Sequence, residues 1–186
     1  MNLLKRPFFA IIVSALFVIS STLLSVHIGL SAECRKITDG FVDGIQYEGE
    51  IQKGIAFYLN EINLQIDGIA DIAAGCGIDT DDLLSKSNDM QLGLTYSSES
   101  ASYLFFCYEE LKTELKLINK QLADQNLSEE NLAQLQNHNS NIEKAQQAIS
   151  QSAYNETVRQ FIRKNDVFPT NVLADLAGVY MPEYFA

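Results

Sequence analysis

Residues 90–122 read MQLGLTYSSESASYLFFCYEELKTELKLINKQL, and the spacing of apolar side chains in this stretch decides the fold. Met90, Leu94, Ser97, Ala101, Leu104, Tyr108, Leu111, Leu115, Ile118 and Leu122 recur at alternating intervals of four and three residues. A helix turning every ~3.6 residues places them on one face, so the stretch reads as a long amphipathic helix with the heptad rhythm of a coiled coil. Its start is expected at Asp79, where Ile78 and Leu83 can close a hydrophobic staple across the cap. Between Gly93 and Ser102 the helix formers thin out, and a kink is expected there.

The same rhythm extends on both sides. Upstream, Ile55, Leu59, Ile62, Ile66, Ile69 and Ala73 form one stripe, closed by the stop signals Gly75 and Gly77. Before it, Gly40, Gly44, Gly49 and Gly54 punctuate a segment that reads as a weak helix or a hinge. Downstream, Asp124-Gln125-Asn126 makes a short polar turn, and Ser128 caps a further helix with Leu127 and Leu132 at the staple positions. So short a turn makes the two helices antiparallel neighbours. Leu132, Leu135, Asn139, Ile142, Ala145, Ile149 and Ala153 continue the stripe and, after a shift in phase, so do Val158, Phe161 and Ile162. Asn139 falls on a core position, where it either fixes register or faces solvent at a frayed heptad. Pro169 ends the helix, because the residue before a proline is pushed out of helical conformation. No strand alternation with hairpin chemistry and no internal repeat is legible. The expected fold is all-α: an N-terminal transmembrane helix followed by an antiparallel bundle of three to four long helices.

Between Pro7 and Glu33 no side chain carries a formal charge. Phe8 to Leu30, as a helix rising ~1.5 Å per residue, reaches roughly 34 Å, enough to cross a bilayer with slight tilt. The apolar run exceeds that of a signal peptide, although Leu30-Ser31-Ala32 is a passable cleavage site. The chain therefore divides into a short basic N-terminus at 1–7, an anchor at 8–30, a glycine-rich juxtamembrane segment at 31–54 and a helical bundle with its tail at 55–186. The lipid bilayer is the expected partner of residues 8–30. Lys5 and Arg6 before the span are matched by Arg35 and Lys36 after it, so charge gives no orientation. The ordinary signal-anchor outcome, an exported domain, is preferred.

With 24 acidic residues against 13 basic ones, the surface repels phosphate backbones and nucleic-acid binding is not expected. Chemistry is equally hard to assemble. Cys34, Cys76 and Cys107 follow no metal or redox spacing, and on one continuous helix Cys76 and Cys107 would lie too far apart to bridge. The only histidines are His27, inside the apolar run, and His138, on a polar helix face without an orienting acid or a nucleophile at predictable spacing. Asp79, Asp81 and Asp82 lack the glycine and distal glutamate of an EF-hand and read as helix-capping acids. No nucleotide loop, nucleophile elbow or zinc-protease motif is present. Catalytic, metal and cofactor-binding residues are therefore expected to be none, and the chain does not read as an enzyme.

One block stands out against this background. Tyr154-Asn155 and Arg159 lie one turn apart on the last long helix, followed by Phe168-Pro169-Thr170-Asn171 and by Pro182-Glu183-Tyr184-Phe185. The turn can direct Val172, Leu173, Leu176, Val179, Tyr180, Tyr184 and Phe185 back along the bundle. The tail then serves either as core closure or as a contact surface made of Tyr154, Asn155, Arg159, Phe168, Pro169, Asn171, Tyr180, Tyr184 and Phe185. These residues resemble the closing block of the LemA family, in which a late Tyr-Asn pair precedes a Phe-Pro-x-Asn turn and a short apolar tail ending in Phe. The resemblance implies a bacterial envelope-associated protein with one N-terminal span and long helices, and with a small N-terminus outside and a cytoplasmic domain. It brings no catalytic residue with it. Residues 51–65 depart from the family, having no Trp, Arg or Pro where relatives show them. The expected role is protein interaction or scaffolding in the envelope, with an unknown protein partner and a homo-oligomer as a further option. The alternative is an accessory or sensor subunit moving through the glycine-rich stretch.

Overall fold

A computed structural model of the chain describes residues 7–95 and 100–186. The expected basic residues Lys5 and Arg6, and Ser97 of the central stripe, lie outside the described residues. The elements run α1 (Pro7–Asp43), β1 (Ile45–Tyr47), β2 (Glu50–Gln52), α2 (Ile55–Gly75), α3 (Asp81–Thr95), α4 (Ala101–Ala123), α5 (Glu129–Ser150), α6 (Tyr154–Asn165) and α7 (Thr170–Leu176). The fold is all-α with a small hairpin. The chain forms two compact units, one from α1 as far as Thr38 with Thr157–Pro182, the other from Asp39–Glu156 with Glu183–Ala186.

The larger unit is the helical bundle. Along α2 the stripe is its core: Leu59, Ile62, Ile66, Ile69 and Ala73 are buried, and α2 packs on both α5 and α3. Gly77, at φ +76°, ends α2 while the Ile78 amide reaches back to the Ala73 carbonyl, a glycine stop of the expected kind. Helix α3 begins at Asp81, and the Asp79 carboxylate accepts from the Asp81 amide at 3.0 Å, the contact to a first-turn amide expected of a capping acid. The long central helix is in fact two. Chain runs from α3 into α4 through a break that Ser100 caps, its hydroxyl accepting from the Tyr103 amide at 3.1 Å, and α4 packs back on α3. The heptad phase survives because both halves bury their stripes, with Met90 on α3 and Leu104, Leu111 and Leu122 on α4. The continuous helix invoked to separate Cys76 from Cys107 therefore does not exist, and both thiols are free.

Polar side chains link the helices of the bundle at several points. Asn119 on α4 and Asn139 on α5 exchange side-chain hydrogen bonds at 3.0 Å each, so Asn139 fixes register and is not a frayed position. Ser87 on α3 donates to Asn63 on α2, which donates in turn to Gln91 at 3.0 Å. His138 is half-buried and not on an open polar face; its Nδ1 meets Gln65 Oε1 at 2.9 Å, and its ring covers Gly68.

The glycine-punctuated stretch also differs from expectation. Residues 31–43 complete α1, and the next residues form an antiparallel hairpin pairing Ile45 with Gln52 and Tyr47 with Glu50. Glu48 (φ 51°) and Gly49 (φ 89°) make its two-residue turn, both left-handed as such hairpins require. Glutamate at the first turn position hid the hairpin, since Asn or Asp is the usual signal there. The last long helix is likewise interrupted, α5 ending at Ser150 and α6 starting at Tyr154, close to the phase shift in the stripe.

In the smaller unit α1 carries the apolar run. Among the described residues it is the one helix long and apolar enough to cross a membrane. Ala10 to Thr22 are all exposed; from Leu23 a stripe of covered residues begins, Leu23, Val26, Leu30 and Ile37 half-buried and Cys34 buried. The neighbours in this unit are the end of α6, α7 and the segment after it. His27 Nδ1 donates to the Ala177 carbonyl at 2.9 Å, and Lys164 reaches Glu33 at 3.3 Å. Val158, Phe161 and Ala174 are buried, and Asn165, also buried, donates to the Phe161 carbonyl at 2.9 Å.

Candidate functional site: the Tyr-Asn clamp and its tail

The block singled out in the sequence falls into two groups. Tyr154, Asn155, Tyr184 and Phe185 belong to the bundle unit; Arg159, Phe168, Pro169, Asn171 and Tyr180 belong to the smaller one.

In the bundle unit the first turn of α6 presents Tyr154 and Asn155 to the extended segment Glu183–Ala186. The Asn155 amide nitrogen donates to the Phe185 carbonyl at 2.8 Å, while its side-chain oxygen accepts from the Phe185 amide at 2.8 Å. One asparagine thus satisfies both backbone groups of one residue, as a neighbouring strand would. The Tyr154 hydroxyl donates to the Glu183 carbonyl at 3.0 Å. Burial, and secondarily the Glu183 carboxylate, pushes the Tyr154 phenol up to about 12. The Glu183 carboxylate accepts from Ser102 at 2.8 Å, and that bond holds its pKa below the ordinary value against the opposing effect of partial burial.

The Phe185 ring sits between Phe105 (centroids 5.2 Å apart), Phe41 (5.6 Å) and Tyr108 (5.8 Å), and Phe41 also meets Tyr154 edge-on at 5.3 Å. Burial raises Tyr108 to about 12 as well, with Glu109 adding to it. Upstream, Gln52 of the hairpin accepts from the Ala153 amide at 3.0 Å and holds the start of α6. Of these partners Tyr108 was visible as a stripe residue. Phe41, Phe105, Gln52 and Ser102 were missed, because tertiary packing recruits them and no local spacing marks them.

The second group is arranged differently. Asn171 turns inward on its own chain, its side-chain oxygen accepting from the Val172 amide at 2.8 Å. Arg159 and Pro169 are exposed, and Phe168 and Tyr180 more so, at 84% and 92%. Phe168, Val172, Leu176 and Tyr180 follow each other at intervals of four residues and all are exposed, while Ala174 on the other side of α7 is fully buried. Spacing alone does not tell the outward face of these apolar residues from a core stripe.

The remaining chemistry is quiet. Burial raises the Cys34 and Cys107 thiols above their usual value, which keeps both protonated and poorly nucleophilic. Among the described residues no three His, Cys, Asp or Glu side chains gather as a metal ion would require. One unit holds a chain segment, the clamp on Glu183–Phe185; the other exposes Val172 and Leu176 on α7, with Phe168 before the helix and Tyr180 after it. No family model, no curated protein and no solved structure matches this chain.

Proposed function

We propose that this chain is a single-pass membrane protein whose acidic helical bundle is an interaction or scaffolding module of the bacterial envelope, of the LemA type that its closing block resembles. The observation that carries the reading is the exposure of α1: Phe8, Leu16, Phe17 and Ile28 are each more than half exposed on a stretch without a charge. An apolar surface of that length is stable in lipid and not in water. Binding, and not catalysis, fits the clamp residues, whose polar atoms are occupied by the Glu183 and Phe185 backbone. On the bundle, Phe106 and Leu117 lie eleven residues apart on the outer face of α4, and both are exposed. With Glu109, Glu110, Thr113 and Glu114 between them, they make a mixed apolar and acidic face on which a protein partner would rest.

The accessory or sensor alternative needs movement at the glycines. A side chain at Gly54 would meet the Phe41 and Val42 carbonyls at 2.4 Å, and one at Gly44 would meet the Gln52 carbonyl. Such close packing favours a fixed scaffold over a hinge.

Fractionation of cells expressing the full chain tests the anchor. The protein should stay with membranes through alkaline carbonate, come out with detergent, and show an intact mass that retains residues 1–32. Release by carbonate, or a mass lacking that segment, would sink the reading. For the bundle, a photo-crosslinker at Phe106 or Leu117 should yield a discrete protein adduct, and none if the module binds nothing. A reporter active only after export, fused behind Ala186, should be active if the domain lies on the extracytoplasmic side.

A further inference from the structure

We infer that the ridge Phe168, Val172, Leu176 and Tyr180 is a second membrane-contact element, seated in the headgroup boundary of the bilayer that α1 crosses. The inference rests on the anchor reading above. Phe8 to His27 makes about twenty residues, or ~30 Å of helix, the thickness of a hydrocarbon core. The thickness of the core is thus reached near His27, within the 8–30 anchor. The stripe of covered residues on α1 begins at Leu23, about one turn before that point, and His27 donates to the Ala177 carbonyl at 2.9 Å. Ala177 directly follows α7, so α7 lies beside the exit of the span. Whatever α7 exposes there faces the boundary between lipid and water.

What it exposes suits that boundary. Val172 and Leu176 are 46% and 68% exposed on one side of α7, flanked by the exposed rings of Phe168 and Tyr180. Tyr180, an apolar ring with a polar hydroxyl, is of the kind that concentrates at this depth. On α6 and α7 themselves the charges balance: Arg163 and Lys164 close α6, and Asp166 and Asp175 follow, all exposed, while Arg35 and Lys36 past the span add positive charge on α1. The exposed face of α7 itself is apolar, so apolar contact is what it offers the membrane. Net-neutral phosphatidylcholine is then a sufficient surface, and salt should leave the contact unchanged.

The chain contains no tryptophan, so single replacements report without background. The full chain would be reconstituted in phosphatidylcholine vesicles as Leu16→Trp, Leu176→Trp or Tyr180→Trp, with bromines placed either deep in the acyl chains or near the headgroups. Leu16→Trp should lose most of its emission to deep bromines. Leu176→Trp and Tyr180→Trp should emit to the blue and lose most of their emission to shallow bromines, equally at low and high salt. Quenching of Leu16→Trp with unquenched, red emission from the other two would leave the anchor standing and overturn the docking. Blue emission at Leu176 or Tyr180 that bromines do not quench would also overturn it, assigning the ridge to protein contact instead. An unquenched Leu16→Trp would overturn the anchor itself.

Discussion

Asn155 holds Phe185 by both of its backbone groups, giving a hydrogen bond to the carbonyl and taking one from the amide, each at 2.8 Å. No other residue type of this size offers a donor and an acceptor in one plane. Asn155→Ala leaves two partly buried backbone groups without partners, at a cost of about 1–3 kcal/mol. Asn155→Asp keeps the acceptor but turns a carboxylate toward the Phe185 carbonyl, and should do no better. Amide exchange at Phe185 in the full chain in detergent measures the amide half directly: protection should fall in Asn155→Ala, which removes its acceptor. Unchanged protection would mean that the aromatic pocket alone fixes the segment.

Two aromatic residues five positions apart should behave as opposites. Phe185 is buried between Phe105, Phe41 and Tyr108, whereas Tyr180 is 92% exposed. Phe185→Ala should cost about 3–5 kcal/mol in denaturant unfolding, while Tyr180→Ala should stay within about 0.5 kcal/mol. Equal effects would show that exposure is not what separates them.

The legibility of the fold in the sequence follows from what each kind of residue depends on. Stripes such as Leu59-Ile62-Ile66-Ile69 were readable because helical spacing alone dictates which face is buried, and all four are core residues. Ser128, predicted as a cap, accepts from the Asn131 amide at 3.1 Å, a contact three residues long. Between α3 and α4, which both bury the same stripe, periodicity runs on across the break, and only the thinning of helix formers between Gly93 and Ser102 marked the place, as an expected kink. The hairpin escaped for want of a turn signal at Glu48. The candidate site was half legible: Tyr154, Asn155 and Phe185 were named, but their mutual bonds span about thirty residues. Whether Tyr180 faced in or out depended on α7, which no apolar period announced.

Gly68 and His138 form a close contact between α2 and α5 that a methyl group would break. A Cβ on Gly68 would lie 2.5 Å from the His138 ring, which Gln65 holds in place at 2.9 Å. Gly68→Ala should destabilise the bundle by about 1–3 kcal/mol through overpacking, despite the better helix propensity of alanine. In the His138→Ala background the same change should cost much less or stabilise, because the obstructing ring is gone. Thermal unfolding of the four proteins in this cycle measures the coupling, and additive effects would place the conflict elsewhere.

Alkaline pH should unfold the bundle earlier than its acidic surface alone would suggest. Burial raises Tyr154 from 10.0 to about 12 in the folded state. The unfolded chain therefore releases this proton first, so the contribution is complete below pH ~10 and is lost as pH rises toward about 12. At ~1.4 kcal/mol per unit the loss is on the order of 2–3 kcal/mol for this residue. Tyr154→Phe removes the titration together with the bond to the Glu183 carbonyl. It should be less stable than the parent at pH 8, yet lose less stability between pH 10 and 12, so the two curves of unfolding free energy against pH converge. Parallel curves over that window would show that Tyr154 does not govern the alkaline limb.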